Sequence, residues 1–224
     1  MIPIRDENPV ESAPVVTRGL IALNVAVFLY EVLRGPELPA FVDRWALIPQ
    51  RVTLALQTGQ EPITGPALTF VTSMFLHGGW LHLIGNMWYL WIFGDNIEDR
   101  LGKVRFLVFY LLSGLVASSV EYSFHSGSPA IAPLAGVLGA YALLYPGARI
   151  LTLMPFFQVW PLPALLVLGL WFVLQFFSGW LSIAASLTGG IAWWAHIAGF
   201  AFGLLTVKLF DPRRHSASHA WVES

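Results

Sequence analysis

The sequence predicts an all-α membrane protein, a bundle of six transmembrane helices with a short fourth helix and a partly embedded loop after the first. Three observations lead there. Hydrophobic residues make up 56% of the 224 positions and charged residues only 11%, whereas a water-soluble domain carries about a quarter charged. Apolar stretches near the roughly 20 residues needed to cross a bilayer recur along the chain. The Lys and Arg residues fall mainly into alternate connections, as the positive-inside rule requires. The formal net charge of -1 argues against a nucleic-acid partner or a polybasic membrane anchor. With no cysteine, disulfides, thiolate metal sites and a cysteine nucleophile are excluded together.

Residues 1–14 form a polar, proline-containing segment of mixed charge, unlike a cleavable signal peptide, so the first helix is expected to act as an uncleaved signal. Val15 to Leu33 is the first span, with Arg18 and Glu31 near enough to its ends to snorkel. Gly35 to Pro66 carries five prolines. Its pieces PAFVDRWALIP and RVTLALQ are apolar enough to lie in the membrane interface. Ala67 to Leu76 leads through Gly78 and Gly79 into a second span, Trp80 to Ile97. The third runs from Val104 to Tyr122, where HSGSPAIAP interrupts it. A short helix from Pro133 to Leu144 follows, too short to cross alone; proline is tolerated in its first turn, and Tyr145-Pro146-Gly147 ends it. Leu162 to Leu181 is the fifth span, flanked by Trp160 and Trp180 as interface anchors. Ile191 to Phe210 is the sixth. A membrane domain of residues 15–210 is thus expected between the polar ends 1–14 and 211–224.

Six spans place both termini on one side. With that side cytoplasmic, Arg5, Arg18, Arg100, Lys103, Arg105, Arg149, Lys208, Arg213 and Arg214 lie inside, and only Arg34, Arg44 and Arg51 outside. The expected location is a bacterial or archaeal plasma membrane.

The polar residues within the spans carry the functional signal. In FLHGGWLHLIGNMWYLWIFGDNIED (75–99), His82 and Asn86 are four apart and share one helix face, yet no polar stripe lies opposite them. Such groups are costly in lipid unless paired or used. His196, in IAWWAHIAGFAFGLL (191–205), precedes Gly199 and Gly203, a small-residue spacing that lets another backbone approach. Gly136, Gly139 and Ala140 offer a matching face on the short helix, so the fourth and sixth helices should pack together with His196 at their junction. That histidine is a general base or a neutral bridge between helices. Ser113, Ser118 and Ser119 in the third helix suit helix packing and bonding back to carbonyls. His77 and His82 are five apart, not the i, i+4 spacing of a helical metal pair, and no carboxylate lies near them in the helices. No metal or cofactor is therefore expected.

HGGWLHLIGNMWYLWIFGDNIED, YLLSGLVAS, AGVLGAYALLYPGARILTL and WWAHIAGFAFG, in this order and spacing, resemble the rhomboid family of intramembrane serine proteases over nearly the whole chain. The resemblance implies a serine and histidine dyad within the bilayer, the serine in a Gly-x-Ser-Gly motif at the top of the fourth helix. His196 matches the histidine of the dyad. His82 and Asn86 match the side chains that stabilise the oxyanion together with the serine's own N–H, and His77 matches a further histidine preceding them. Donors fixed on a rigid helix in a low-dielectric site are worth several kcal/mol to such a transition state.

The match fails at the nucleophile. Five residues before Gly136, where the family carries serine, stands Ile131, and the following glycine is replaced by Ala132. Two readings follow. The first is a catalytically inactive pseudoprotease that binds transmembrane-helix clients, as silent relatives in the broader superfamily do. The second is an active endopeptidase using Ser128 or Ser126, three and five residues upstream of Ile131, with the loop folded down over the helix end. Lipid bilayer and transmembrane proteins are the expected partners in both, and nucleic acid in neither.

Overall fold

The computed structural model describes residues 1–124, 134–184 and 193–212. Nine α-helices lie among them, and six of these set the frame. Helix α1 spans Val15–Leu33. The connection after it folds into three short helices, α2 (Leu38–Trp45), α3 (Pro49–Thr58) and α4 (Thr64–Thr72). Prolines open α2 and α3 in their first turns, where a missing N–H costs nothing, and Gly59, at φ 64°, closes α3 in the left-handed conformation. The connection is braced internally. Arg51 bonds both oxygens of Glu61 and donates to the Asp43 carbonyl (2.8 Å), while Thr72 Oγ1 donates to the Trp45 carbonyl (2.6 Å).

Gly79 leads into α5 (Trp80–Leu101), and α6 (Lys103–Phe124) follows after Gly102. The short helix α7 covers Ala135–Leu144, about 15 Å of rise. Helices α8 (Ala164–Ala184) and α9 (Trp193–Phe210) complete the bundle. Among the described residues, α1, α6, α8 and α9 are long and apolar enough to cross a membrane. A fifth candidate is the pair formed by residues 64–75 and α5, bent by 73° at its break.

The closest helix packing is between α7 and α9. A Cβ on Gly203 would land on the Gly136 carbonyl, and one on Gly139 on the Phe200 carbonyl. The backbones meet there because a glycine stands on at least one side of each contact. The core around this seam holds Phe93, Phe106, Phe109, Tyr141 and Leu168, all fully buried. The α6 serines bond as expected: Ser113 to the Phe109 carbonyl (2.8 Å), Ser119 to Leu115 (2.8 Å), and Ser118 across to Phe70 (3.2 Å).

Three findings differ from the sequence expectation. First, the protein is mostly but not wholly α. Strands β1 (Ile2–Asp6), β2 (Arg149–Leu153) and β3 (Val159–Pro163) form an antiparallel sheet in the order β1-β2-β3, with Ile2 opposite Leu153 and Leu153 opposite Val159. The N-terminal segment is therefore docked: Trp88 Nε1 donates to the Pro3 carbonyl (2.6 Å), and Ser12 N donates to Asp99 (2.8 Å). Second, the fifth apolar helix begins at Ala164, because Leu162 and Pro163 belong to β3. Trp160, expected to anchor it, is also a strand residue. Third, Glu31 does not snorkel. It is 4% exposed and accepts the backbone N–H of His77.

One end of the bundle collects several ion and cap contacts. Glu98, buried at the end of α5, accepts from Val16 N (2.9 Å), Thr17 N (2.7 Å) and Thr17 Oγ1 (2.8 Å), capping α1 from a neighbouring helix. Arg100 bonds Asp211 beyond α9 at 3.0 and 2.7 Å. The chain thus enters α1 and leaves α9 at the same end.

Candidate active site

Helix α5 places His82 and Asn86 one turn apart, and His77 sits on the turn leading into it. The turn is fixed from two sides: the His77 backbone N–H goes to Glu31 of α1, and His77 Nδ1–H donates to the Phe75 carbonyl at 3.3 Å. The rings of His77 and His82 are 5.3 Å apart and those of His82 and His196 6.2 Å. Three imidazoles therefore stand in a row from the turn to α9, at centroid spacings that leave no direct bond between them.

His82, Asn86 and His196 line one cavity of about 290 Å³, walled by Leu134 just before α7, by Ala135 and Leu138 of α7, and by Trp171 and Trp193. His77 stays behind His82 and does not reach it. The cavity lies where α5, α7, α8 and α9 converge, so the close seam between α7 and α9 determines how near His196 stands to the top of α7. His82 Nε2 is enclosed and has no hydrogen-bond partner among the described residues. An orphaned polar atom in a cavity costs free energy unless a bound group satisfies it.

One polar neighbour was not anticipated from the sequence. Gln175 of α8 also lines the cavity, and its Oε1 accepts from His196 Nδ1–H at 2.8 Å. This bond fixes the neutral imidazole with its proton on Nδ1 and leaves the Nε2 lone pair free to take a proton. The signal was present as a lone amide among apolar residues in LWFVLQFF, which reads as interhelical by default. A second support is Glu121 of α6, whose carboxylate accepts the backbone N–H of Ala195 (3.0 Å), directly before His196.

The far end of α7 is anchored as well. Tyr141 OH and Asn96 Nδ2 both donate to Asp6 Oδ2 at 2.7 Å, and Asn8 bonds Asn96. Burial pushes the Asp6 carboxyl up to about 6, against the lowering effect of its Tyr141 and Asn96 bonds.

The expected nucleophile position Ile131, its neighbour Ala132, and the two alternative serines, Ser126 and Ser128, lie outside the described residues. Among the described residues, no three His, Asp or Glu side chains converge as metal ligands would.

Comparison with known proteins places this geometry. A family model described as Rhomboid domain matches residues 64–212. The mitochondrial Rhomboid protein 1 of Saccharomyces cerevisiae is 27% identical over 221 residues, covering 91% of this chain and 57% of that protein. The mitochondrial Presenilin-associated rhomboid-like protein A of Danio rerio is 29% identical over 122 residues, 54% of this chain and 28% of its own. Rhomboid protease AarA of Providencia stuartii is 28% identical over 102 residues, 46% and 34%. The chain thus spans between 28% and 57% of the length of these relatives. Two of the three are named as mitochondrial, so the expected bacterial or archaeal plasma membrane draws no support from them as a set. The family model alone covers well over half of the chain, with the cavity, its two facing histidines and the glycine seam inside the match, and on that ground the protein belongs to the rhomboid family.

Proposed function

We propose that this chain is a catalytically silent rhomboid protein that binds the transmembrane helices of client proteins. Ile131 carries the reading: counting back from Gly136 without a gap puts isoleucine where the family's serine belongs. Isoleucine has no nucleophilic atom, and Ala132 in place of the adjoining glycine narrows the approach of a substrate backbone. The retained cavity supports a binding role, because His82, Asn86 and His196 still offer hydrogen-bonding groups to a peptide carbonyl or amide. In this reading α1, α5, α6, α7, α8 and α9 are the six spans, residues 15–210 are the membrane domain, and both termini are cytoplasmic. The common end of α1 and α9 supports the termini lying on one side, and the excess of Lys and Arg on that side favours the cytoplasm.

A fluorophosphonate probe on the purified full chain tests the proposal. Wild type is expected to stay unlabelled, and the Ile131→Ser, Ala132→Gly double variant to label with loss on His196→Ala. Labelling of wild type that disappears in Ser126→Ala or Ser128→Ala overturns silence and makes the protein an endopeptidase with a displaced serine.

A further inference from the structure

A second cavity lies away from the histidines, between α1 and the folded connection. Its volume is about 450 Å³, and its walls are Leu23, Ala26, Val27 and Tyr30 of α1, Phe41 and Trp45 of α2, and Thr72, Phe75 and Leu76. Its polar side-chain atoms are few: the Thr72 hydroxyl is already given to the Trp45 carbonyl, and the others are the Tyr30 hydroxyl and the Trp45 indole N–H, each carried on an aromatic ring. No charged side chain is among its lining residues.

Its rim differs. Residues 23, 26, 27, 30 and 34 follow the i, i+3, i+4, i+7 rule, so Arg34, just past the end of α1, continues the stripe that lines the trough. Phe41, Arg44 and Trp45 likewise share one face of α2. Each arginine sits by an aromatic of the wall: the Arg34 guanidinium is 4.0 Å from the Tyr30 ring centroid, and that of Arg44 5.5 Å from Trp45. Tyr30 and Phe41, 5.6 Å apart, join the two helices beneath them. Among the described residues Arg34 has one ion pair, with exposed Glu37 at 3.4 Å, its Nε is enclosed without a hydrogen-bond partner, and Arg44 has no ion pair. Two guanidiniums above an apolar trough, at the end of a helix long enough to cross the bilayer, match an anion joined to a hydrocarbon chain.

We propose that the trough between α1 and α2 holds one acyl chain of a glycerophospholipid whose phosphate is bound by Arg34 and Arg44. Size favours a lipid chain over a client helix. A cylinder 10 Å wide encloses roughly 420 Å³ per helical turn of 5.4 Å, so the trough would accommodate barely one turn. Moving a hydrocarbon tail from bilayer into the trough gains little, because the surroundings are equally apolar. Selectivity must therefore come from the phosphate.

Native mass spectrometry of the full chain in detergent tests this with dioleoylphosphatidylglycerol, dioleoylglycerol and inorganic phosphate. One phosphatidylglycerol is expected to be retained, at least tenfold more than dioleoylglycerol, with no phosphate adduct. The Arg34→Gln, Arg44→Gln double variant is expected to lose retention at least tenfold, as is Ala26→Trp, which fills the trough from an exposed position. Circular dichroism and gel filtration establish folding; if Ala26→Trp aggregates, the arginine variant decides alone. Equal retention of dioleoylglycerol, binding of inorganic phosphate alone, or undiminished phosphatidylglycerol in a folded variant overturns the proposal.

Discussion

The imidazole of His196 has two nitrogens, and Gln175 determines which of them carries the proton. The expected tautomer, with hydrogen on Nδ1, is readable from 15N chemical shifts of histidine-labelled protein, and Gln175→Leu should mix the two tautomers while Gln175→Glu preserves the first. In the Ile131→Ser, Ala132→Gly background, Gln175→Leu should slow fluorophosphonate labelling on the order of tenfold to a hundredfold. Unchanged shifts and an unchanged rate would leave the bond a mere helix contact. Legibility at this scale was uneven. His82 and Asn86 stood out because their spacing fixes a shared face and lipid tolerates few such groups. Gln175 carried the same signal, a polar group in an apolar span, but its partner lies 21 residues away on another helix. No local pattern joins the two.

Among the elements, the α7–α9 seam should be the least tolerant of added atoms. Gly139→Ala sets a methyl against the Phe200 carbonyl, whereas Gly169 of α8 has nothing within 4 Å of the corresponding point. We expect Gly139→Ala to cost about 1–3 kcal/mol or more from overpacking and Gly169→Ala to be neutral or slightly stabilising, both measured by thermal unfolding in detergent. Strand β1 offers a pH test. Because the folded Asp6 carboxyl titrates near 6, above its ordinary value of 3.8, its contribution to docking is fully present below about pH 4 and is lost as pH rises through 6. With screening of this partly exposed group allowed for, the loss amounts to about 1–2 kcal/mol. Proteolysis of the N-terminal segment should therefore be faster at pH 7.5 than at pH 5, and Asp6→Asn should flatten the difference. The positions of α1, α5, α6, α8 and α9 were legible because each is a long apolar run between breakers, whereas the short α2, α3 and α4 lay within a stretch read as a connection. The sheet was not: β1 and β3 are five residues each, both contain proline, and pairing depends on partners that only the fold brings together.

For the molecule as a whole, the chain's lack of cysteine allows orientation to be mapped with single introduced thiols. A membrane-impermeant maleimide applied to intact cells should label Gln60→Cys, on the connection after α1, and spare Ser12→Cys, at the end where α1 begins and α9 finishes. The reverse pattern would invert the proposed topology. The positive-inside count predicts this orientation; the contacts of Glu98 and Arg100 bear only on the two ends sharing a side, since they hold the opening of α1 and the close of α9 together. The proposed silence of the site has a different basis, resting on one residue's register.

The pairing of Ile2 with Leu153 also constrains biosynthesis. The first strand leaves the ribosome 151 residues before its partner, which at about 5–20 residues per second is a wait of roughly 8–30 s. During that interval its edge is open, and Pro3, Arg5 and Asp6 are the residue types that discourage unwanted strand pairing. Closure of the sheet is then a late event that reports completed insertion of α7, so a nascent chain arrested before Arg149 should expose its first residues to protease and one arrested well beyond Pro163 should protect them.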